Sequence, residues 1–253
     1  MSMDIFGVHI EGPTLNEIMV QVKKLTSPVW IVTTNPEILL EARRDPTYAH
    51  TLRQADIRAV DGAGLLMLGR LFGQPWSRVT GVELGERLIA YAVEAGLRLG
   101  LIGGGVGVAE AVARRLQQTF PTLSIMAEQG GEIALDGSDD SHGEEARHRL
   151  TMFAPDILLV ALGHPKQERW IARYLADFPR LKVGVGVGGA FDYWAQRVTR
   201  APRFLQKLGL EWLWRLVLEP WRSLRVFRAV CVFPIRVLFD QLVKRVCPRA
   251  NKP

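Results

Sequence analysis

Short apolar runs separated by amphipathic, helix-length stretches constrain this chain more than any other feature. The runs are Val29–Val32, Ile57–Val60, Leu97–Ile102, Asp156–Leu162 and Val183–Val187. They are too short for buried helices and lack the strict polar alternation of half-exposed strands. Between them, apolar residues recur at helical spacing, as in Leu15, Ile18, Met19 and Val22 of a predicted helix over Thr14–Leu25. Val8 and Ile10 add an opening strand. Strands alternating with helices through residues 1–196 predict an α/β fold, a Rossmann-like sandwich built on a parallel sheet.

Several runs end in a polar or glycine-rich set. Thr33-Thr34-Asn35-Pro36-Glu37 follows the first. Asn35 suits an N-cap, Pro36 the first helical position and Glu37 the positive helix end. With Thr33, Asn35 would also present an amide and a hydroxyl to a polar ligand. The second run ends in Asp61-Gly62-Ala63-Gly64. An acid at the carboxyl end of a parallel strand points into the crevice where such sheets bind ligands. Asp before Gly is also a common turn or cap residue, so Asp61 has a structural reading beside the catalytic one. Arg78 precedes a Thr-Gly helix start and is a candidate phosphate or carboxylate contact, or a solvated arginine. The third run ends in Gly103-Gly104-Gly105-Val106-Gly107. Such a turn lets backbone N–H groups approach a diphosphate. Val108 stands where the nicotinamide-cofactor fingerprint needs its third glycine, and no acid closes a well-placed second strand. Gly163–Gln167 and Gly186–Asp192 complete the set. His164 reads as a loop donor rather than a metal ligand. Five such ends on one edge of a sheet would make a built site.

The chain has 253 residues, 48% of them hydrophobic, which is ordinary globular composition. Met1–Gly12 contains Asp4, His9 and Glu11 and lacks the apolar core of a signal peptide. Cys231 and Cys247 make neither a disulfide framework nor a metal pattern, so a cytoplasmic, reducing setting is expected. No D-x-D sequence is present to hold a divalent metal on a nucleotide sugar. From Arg197 onward 13 Lys and Arg face 3 Asp and Glu, whereas the preceding residues carry 19 against 23. The tail is therefore strongly basic, and its pattern becomes helical only. Leu, Trp and Phe interleave with Arg and Lys, and Arg228, Pro234 and Arg236 interrupt the longest apolar part. Residues 197–253 are thus predicted to be a basic helical appendage lying on an anionic membrane surface rather than crossing it. The same helices would also suit packing on the body or on a second copy of the chain. The aromatic interleaving argues against a nucleic-acid face.

The ordered set Thr33–Glu37, Asp61–Gly64, Arg78–Gly81, Gly103-Gly104, Gly163–Glu168, Gly186–Asp192, Arg200–Pro202 and Gly209–Trp212 resembles the WecG/TagA/CpsF glycosyltransferase family. The resemblance covers about residues 8–225. It implies an inverting transferase that needs no metal or other cofactor. Such an enzyme moves a sugar, often N-acetylmannosamine or its uronic acid, from a UDP donor. The acceptor is a polyprenyl-diphosphate-linked saccharide at the inner face of the plasma membrane. Asp61 matches the proposed base. Thr33, Asn35 and Gln167 match pocket residues, and Gly188 and Asp192 fall in a matching motif. Arg215, Arg222 and Arg225 are the tail arginines carried over for diphosphate contact. His164 and Gln196 depart from the family pattern, the latter where glycine is expected. Loss of residues 203–253 is expected to abolish transfer. A nicotinamide-dependent oxidoreductase using Gly103–Gly107 is the rival enzyme class.

Overall fold

The computed structural model describes residues 2–24, 27–202, 204–205, 210–220 and 223–246, without the side chains of residues 215 and 244–246. Two short antiparallel strands, β1 (Met3–Ile5) and β2 (Val8–Ile10), precede helix α1 (Leu15–Lys24). The main sheet has six parallel strands: β3 (Val29–Thr34), β4 (Ile57–Val60), β5 (Leu99–Gly103), β6 (Ile125–Glu128), β7 (Ile157–Ala161) and β8 (Val183–Gly186). Their order is β4-β3-β8-β7-β5-β6. The chain steps from β3 outward to β4, then crosses over and builds the other half. That reversal creates a crevice at the carboxyl ends of the central strands.

The helices cover both faces of the sheet. On one face lie α2 (Pro36–Arg44), α3 (Pro46–Arg53), α4 (Ala63–Leu71), α7 (Ser141–Phe153) and α8 (Lys166–Tyr174). On the other lie α1, α5 (Gly81–Ala95), α6 (Val108–Thr119) and α9 (Ala190–Trp194). Every residue of β3, β4, β5, β7 and β8 is buried. This is why those runs read as continuous apolar stretches instead of alternating ones. The β1–β2 pairing and α3 were not legible as elements. In α3, Asp45 caps the helix by accepting from Thr47 N and Tyr48 N, and Pro46 occupies the first helical turn.

The tail contributes α10 (Glu211–Leu218), α11 (Ser223–Phe227) and α12 (Phe233–Val246), with a wider π turn over Arg228–Val232 joining the last two. It packs on the body. Phe233 and Val237 are fully buried in the same core as Ile5, Val8 and Ile10. Phe233 meets the Phe6 ring edge-on at 6.3 Å, and Gln241 Nε2 donates to the Asp4 carbonyl at 3.0 Å. The outer side leaves Leu224, Phe227, Ile235, Phe239 and Leu242 exposed, beside exposed Met67 and Leu71 of α4. Among the described residues no helix is long and apolar enough to cross a membrane.

Candidate active site

The ends of β3, β4, β7 and β8 open into one cleft of about 370 Å³. Asp61 stands at the exit of β4, with its backbone N–H donating to Thr34 O at 2.7 Å. Its carboxylate accepts from Gly62 N at 2.6 Å and lines the cleft. Gly62 has φ +87°, a conformation that side-chain-bearing residues rarely adopt, so the turn after the acid requires glycine. Burial pushes the Asp61 carboxyl up to about 6. The Arg78 charge and the Gly62 hydrogen bond pull it down, and Glu211 and Glu83 push it further up.

Arg78 reaches the site because its backbone extends β4. Val79 N donates to Val60 O at 2.8 Å, and Val60 and Arg78 form a parallel bridge. The Arg78 guanidinium pairs with Glu211 of α10. Glu211 also accepts from Arg200 Nε at 3.3 Å. Two basic residues of different segments thus converge on one tail carboxylate.

Two helix starts face the cleft. Asn35 Oδ1 accepts from Glu37 N at 2.9 Å and Ile38 N at 3.0 Å, so its carbonyl is engaged in capping α2. Its side-chain amide is left for the cleft. Thr80 caps α5 in a reciprocal box with Glu83. A Cβ on Gly81 would lie 3.3 Å from the Val187 backbone, which explains why glycine starts this helix so close to the end of β8. Thr33 Oγ1 donates to Gly186 O at 3.4 Å across the β3–β8 pairing.

The remaining wall comes from the start of α8. Gln167 is buried, and its Nε2 donates to Glu168 Oε1 at 2.6 Å. Its Oε1 has no hydrogen-bond partner among the described residues. Glu168 is itself buried and accepts from Tyr48 OH at 2.9 Å. Burial raises the Glu168 carboxyl despite hydrogen bonds from Gln167 and Tyr48. A Cβ on Gly186 would lie 2.7 Å from Gln167 Nε2, so the bare β8 backbone makes room for that amide.

A second charged group spans body and tail. Arg225 of α11 donates to Glu37 of α2 through Nε at 2.9 Å and also through Nη2. His164 Nε2 lies 3.4 Å from the same carboxylate. Burial would raise the Glu37 carboxyl, but the hydrogen bonds and charges of His164 and Arg225 lower it to about 2.

The model of the glycosyl transferase WecG/TagA/CpsF family matches residues 3–246. The chain belongs to this family. It is 30% identical over 241 residues to an N-acetylglucosaminyldiphosphoundecaprenol N-acetyl-beta-D-mannosaminyltransferase of Staphylococcus aureus (strain MRSA252), covering 93% of this chain and 91% of the relative. It is 35% identical over 198 residues to a protein of the same description from Bacillus spizizenii (strain W23), covering 77% of this chain and 74% of the relative. The protein is therefore a glycosyltransferase.

In this glycosyltransferase, Thr33, Asn35, Asp61, Arg78, Gln167, Gly188 and Arg225 all line the one cleft. Gly103, Gly104 and Asp192 are not among its lining residues. The glycine turn follows β5, on the far side of β7, and two of its glycines also meet a packing demand. A Cβ on Gly103 would lie 2.7 Å from the Ala161 backbone, and one on Gly104 would lie 3.0 Å from Val108. Asp192 sits in the first turn of α9, where its carbonyl accepts from Arg197 N at 2.9 Å. The side chain of Arg215 and the whole of Arg222 lie outside the described residues. Sequence reasoning gave Glu37, Glu211 and Tyr193 no part in the site, yet all three line it. From the sequence, Glu37 reads only as a helix-start acid. Its partner Arg225 is 188 residues away, and no local pattern reveals that pairing. Gln196 has φ +58°, which accounts for the glycine expected there from the family pattern.

Proposed function

We propose that this glycosyltransferase moves N-acetylmannosamine or a related hexose from a UDP-sugar to a polyprenyl-diphosphate-linked saccharide, with inversion and without a metal, in cell-envelope polysaccharide synthesis. The activity for which the relatives are named supports the lipid-diphosphate acceptor and the mannosaminyl group. The single observation that carries the mechanism is Asp61: a carboxylate in the cleft that is raised to about 6 and so poised near neutrality as a base, whereas Glu37 and Glu211 of the same cleft are paired with arginines.

In this reading Asp61 takes the proton of the acceptor hydroxyl. The acceptor oxygen forms a bond to the anomeric carbon as the bond from that carbon to the UDP oxygen breaks. The electron pair leaves with the diphosphate. Its charge would be met by Arg78 and by the start of α5, both at the cleft wall. Thr33, Asn35 and Gln167 offer neutral polar groups for sugar hydroxyls, with Gln167 held in place by buried Glu168. Arg225 would contact the acceptor diphosphate.

Residues 1–196 would form the catalytic body and residues 197–253 the membrane-facing appendage. The exposed apolar residues of α11 and α12, joined by Met67 and Leu71, support peripheral attachment to an anionic cytoplasmic membrane face. The test is Asp61→Asn assayed with UDP-N-acetylmannosamine and a short-chain polyprenyl-diphosphate N-acetylglucosamine. Loss of a general base predicts a fall of about 10²–10⁴-fold in kcat. Turnover at the wild-type rate would overturn the assignment.

A further inference from the structure

A second cavity of about 210 Å³ adjoins the polar cleft. Its own walls are apolar: Pro36 at the start of α2, Leu216 of α10, Val226 of α11, and Ala229 and Val230 of the π turn. The two cavities share Glu37, Gly62, Ala63, Trp212 and Arg225. Arg225 therefore stands at the partition. Its pair with Glu37 uses Nε and Nη2, which leaves Nη1 for a further acceptor. A cavity of about 150 Å³ with apolar walls already holds a six-carbon ring, so this one has room for a branched five-carbon unit.

Two local features keep the cavity open. Gly64 has no side chain where a Cβ would lie 3.2 Å from Ala229 O and 3.7 Å from Pro36 Cγ. The π turn widens the helix at the residues that form the cavity wall, and such turns recur at functional sites.

The surface thus runs from a polar cleft containing a carboxylate, past a guanidinium, to an apolar recess. A lipid-diphosphate sugar has the same order of parts: hydroxylated ring, dianionic bridge, hydrocarbon. We infer that the apolar cavity between α2, α4 and the tail receives the diphosphate-proximal isoprene units of the acceptor lipid, an assignment that rests on the polyprenyl-diphosphate reading above. The cavity would select the acceptor by its first isoprene units, separately from any attachment of the outer tail surface to a bilayer.

The test compares two water-dispersed acceptors without membranes. Both are N-acetylglucosamine diphosphates, one esterified with farnesol and the other with methanol. For the full chain, kcat/KM for the farnesyl ester should exceed that for the methyl ester at least tenfold. Ala229→Phe, which fills the recess, and Leu216→Gln, which makes its wall polar, should each bring that ratio to within threefold of one. The ratio cancels any general loss of active protein, and two variants guard against one failing to fold. Equal use of both esters by the wild type, or a ratio unchanged in both variants, would overturn the cavity assignment and leave the acceptor reading standing. Transfer to neither ester would overturn the acceptor reading and the cavity's occupant with it.

Discussion

At Asp61 the physics of burial favours the proposed role as a base. An ordinary aspartate would be fully ionised at neutral pH but a weak base. Burial raises this one to about 6, which brings its proton affinity closer to the working range. The acid limb of kcat/KM should therefore have a midpoint near 6, with activity falling as pH drops below it. The same shift has a stability sign. A carboxyl whose folded value is raised favours folding while protonated, and that advantage is lost as pH rises through the folded value. At neutral pH the charged form is thus held at a cost of up to about 3 kcal/mol for this difference from the unfolded value. Asp61→Asn should raise Tm at pH 7.5, and the gain should shrink towards pH 4. Thermal unfolding across that range checks it; a lower Tm for the amide variant at pH 7.5 would contradict the burial account.

At the scale of elements, caps fix where the cleft walls begin. Thr80 accepts from Glu83 N at 3.1 Å, while Glu83 accepts from Thr80 N at 3.2 Å. Thr80→Ala should cost about 1 kcal/mol of stability. It should also raise KM for the donor, because Gly81 at the cleft wall moves with the cap. Chemical denaturation and steady-state kinetics on the same preparation check both effects. Such elements were largely legible beforehand. Asn35, Pro36 and the buried runs of β3, β4, β5, β7 and β8 act through short-range rules of capping and burial, and short-range rules are written in sequence. The pairing of β1 with β2 was not legible, because three-residue strands carry too little pattern. The glycine turn after β5 is ambiguous in a different way. Its composition suits a diphosphate, but close approach to Ala161 demands the same residue, and composition cannot separate the two causes. Contacts between distant segments, such as Arg78 with Glu211, depend on how the tail folds back.

Across the whole molecule, body and tail are separate in composition but joined in the core. Phe233 is fully buried among residues of the first two strands. Phe233→Ala should destabilise by about 3–5 kcal/mol, as expected for emptying a large core site. A thermal shift no larger than that of a surface substitution would show that the tail does not hold the fold together. Deleting residues 203–253 would accordingly uncover part of the core as well as remove the tail arginines, so any loss of activity on truncation would have two causes. Glu211 reaches from α10 to Arg78 and adds its negative charge to the surroundings that raise Asp61. Glu211→Gln should therefore move the acid limb of the pH profile to lower pH, and an unmoved limb would break this connection. Undocking the tail would remove Glu211, admit water and release Arg78, and each change favours the ionised aspartate. If Asp61 is the base, it would thus be more basic with the C-terminal segment seated than in a body stripped of it.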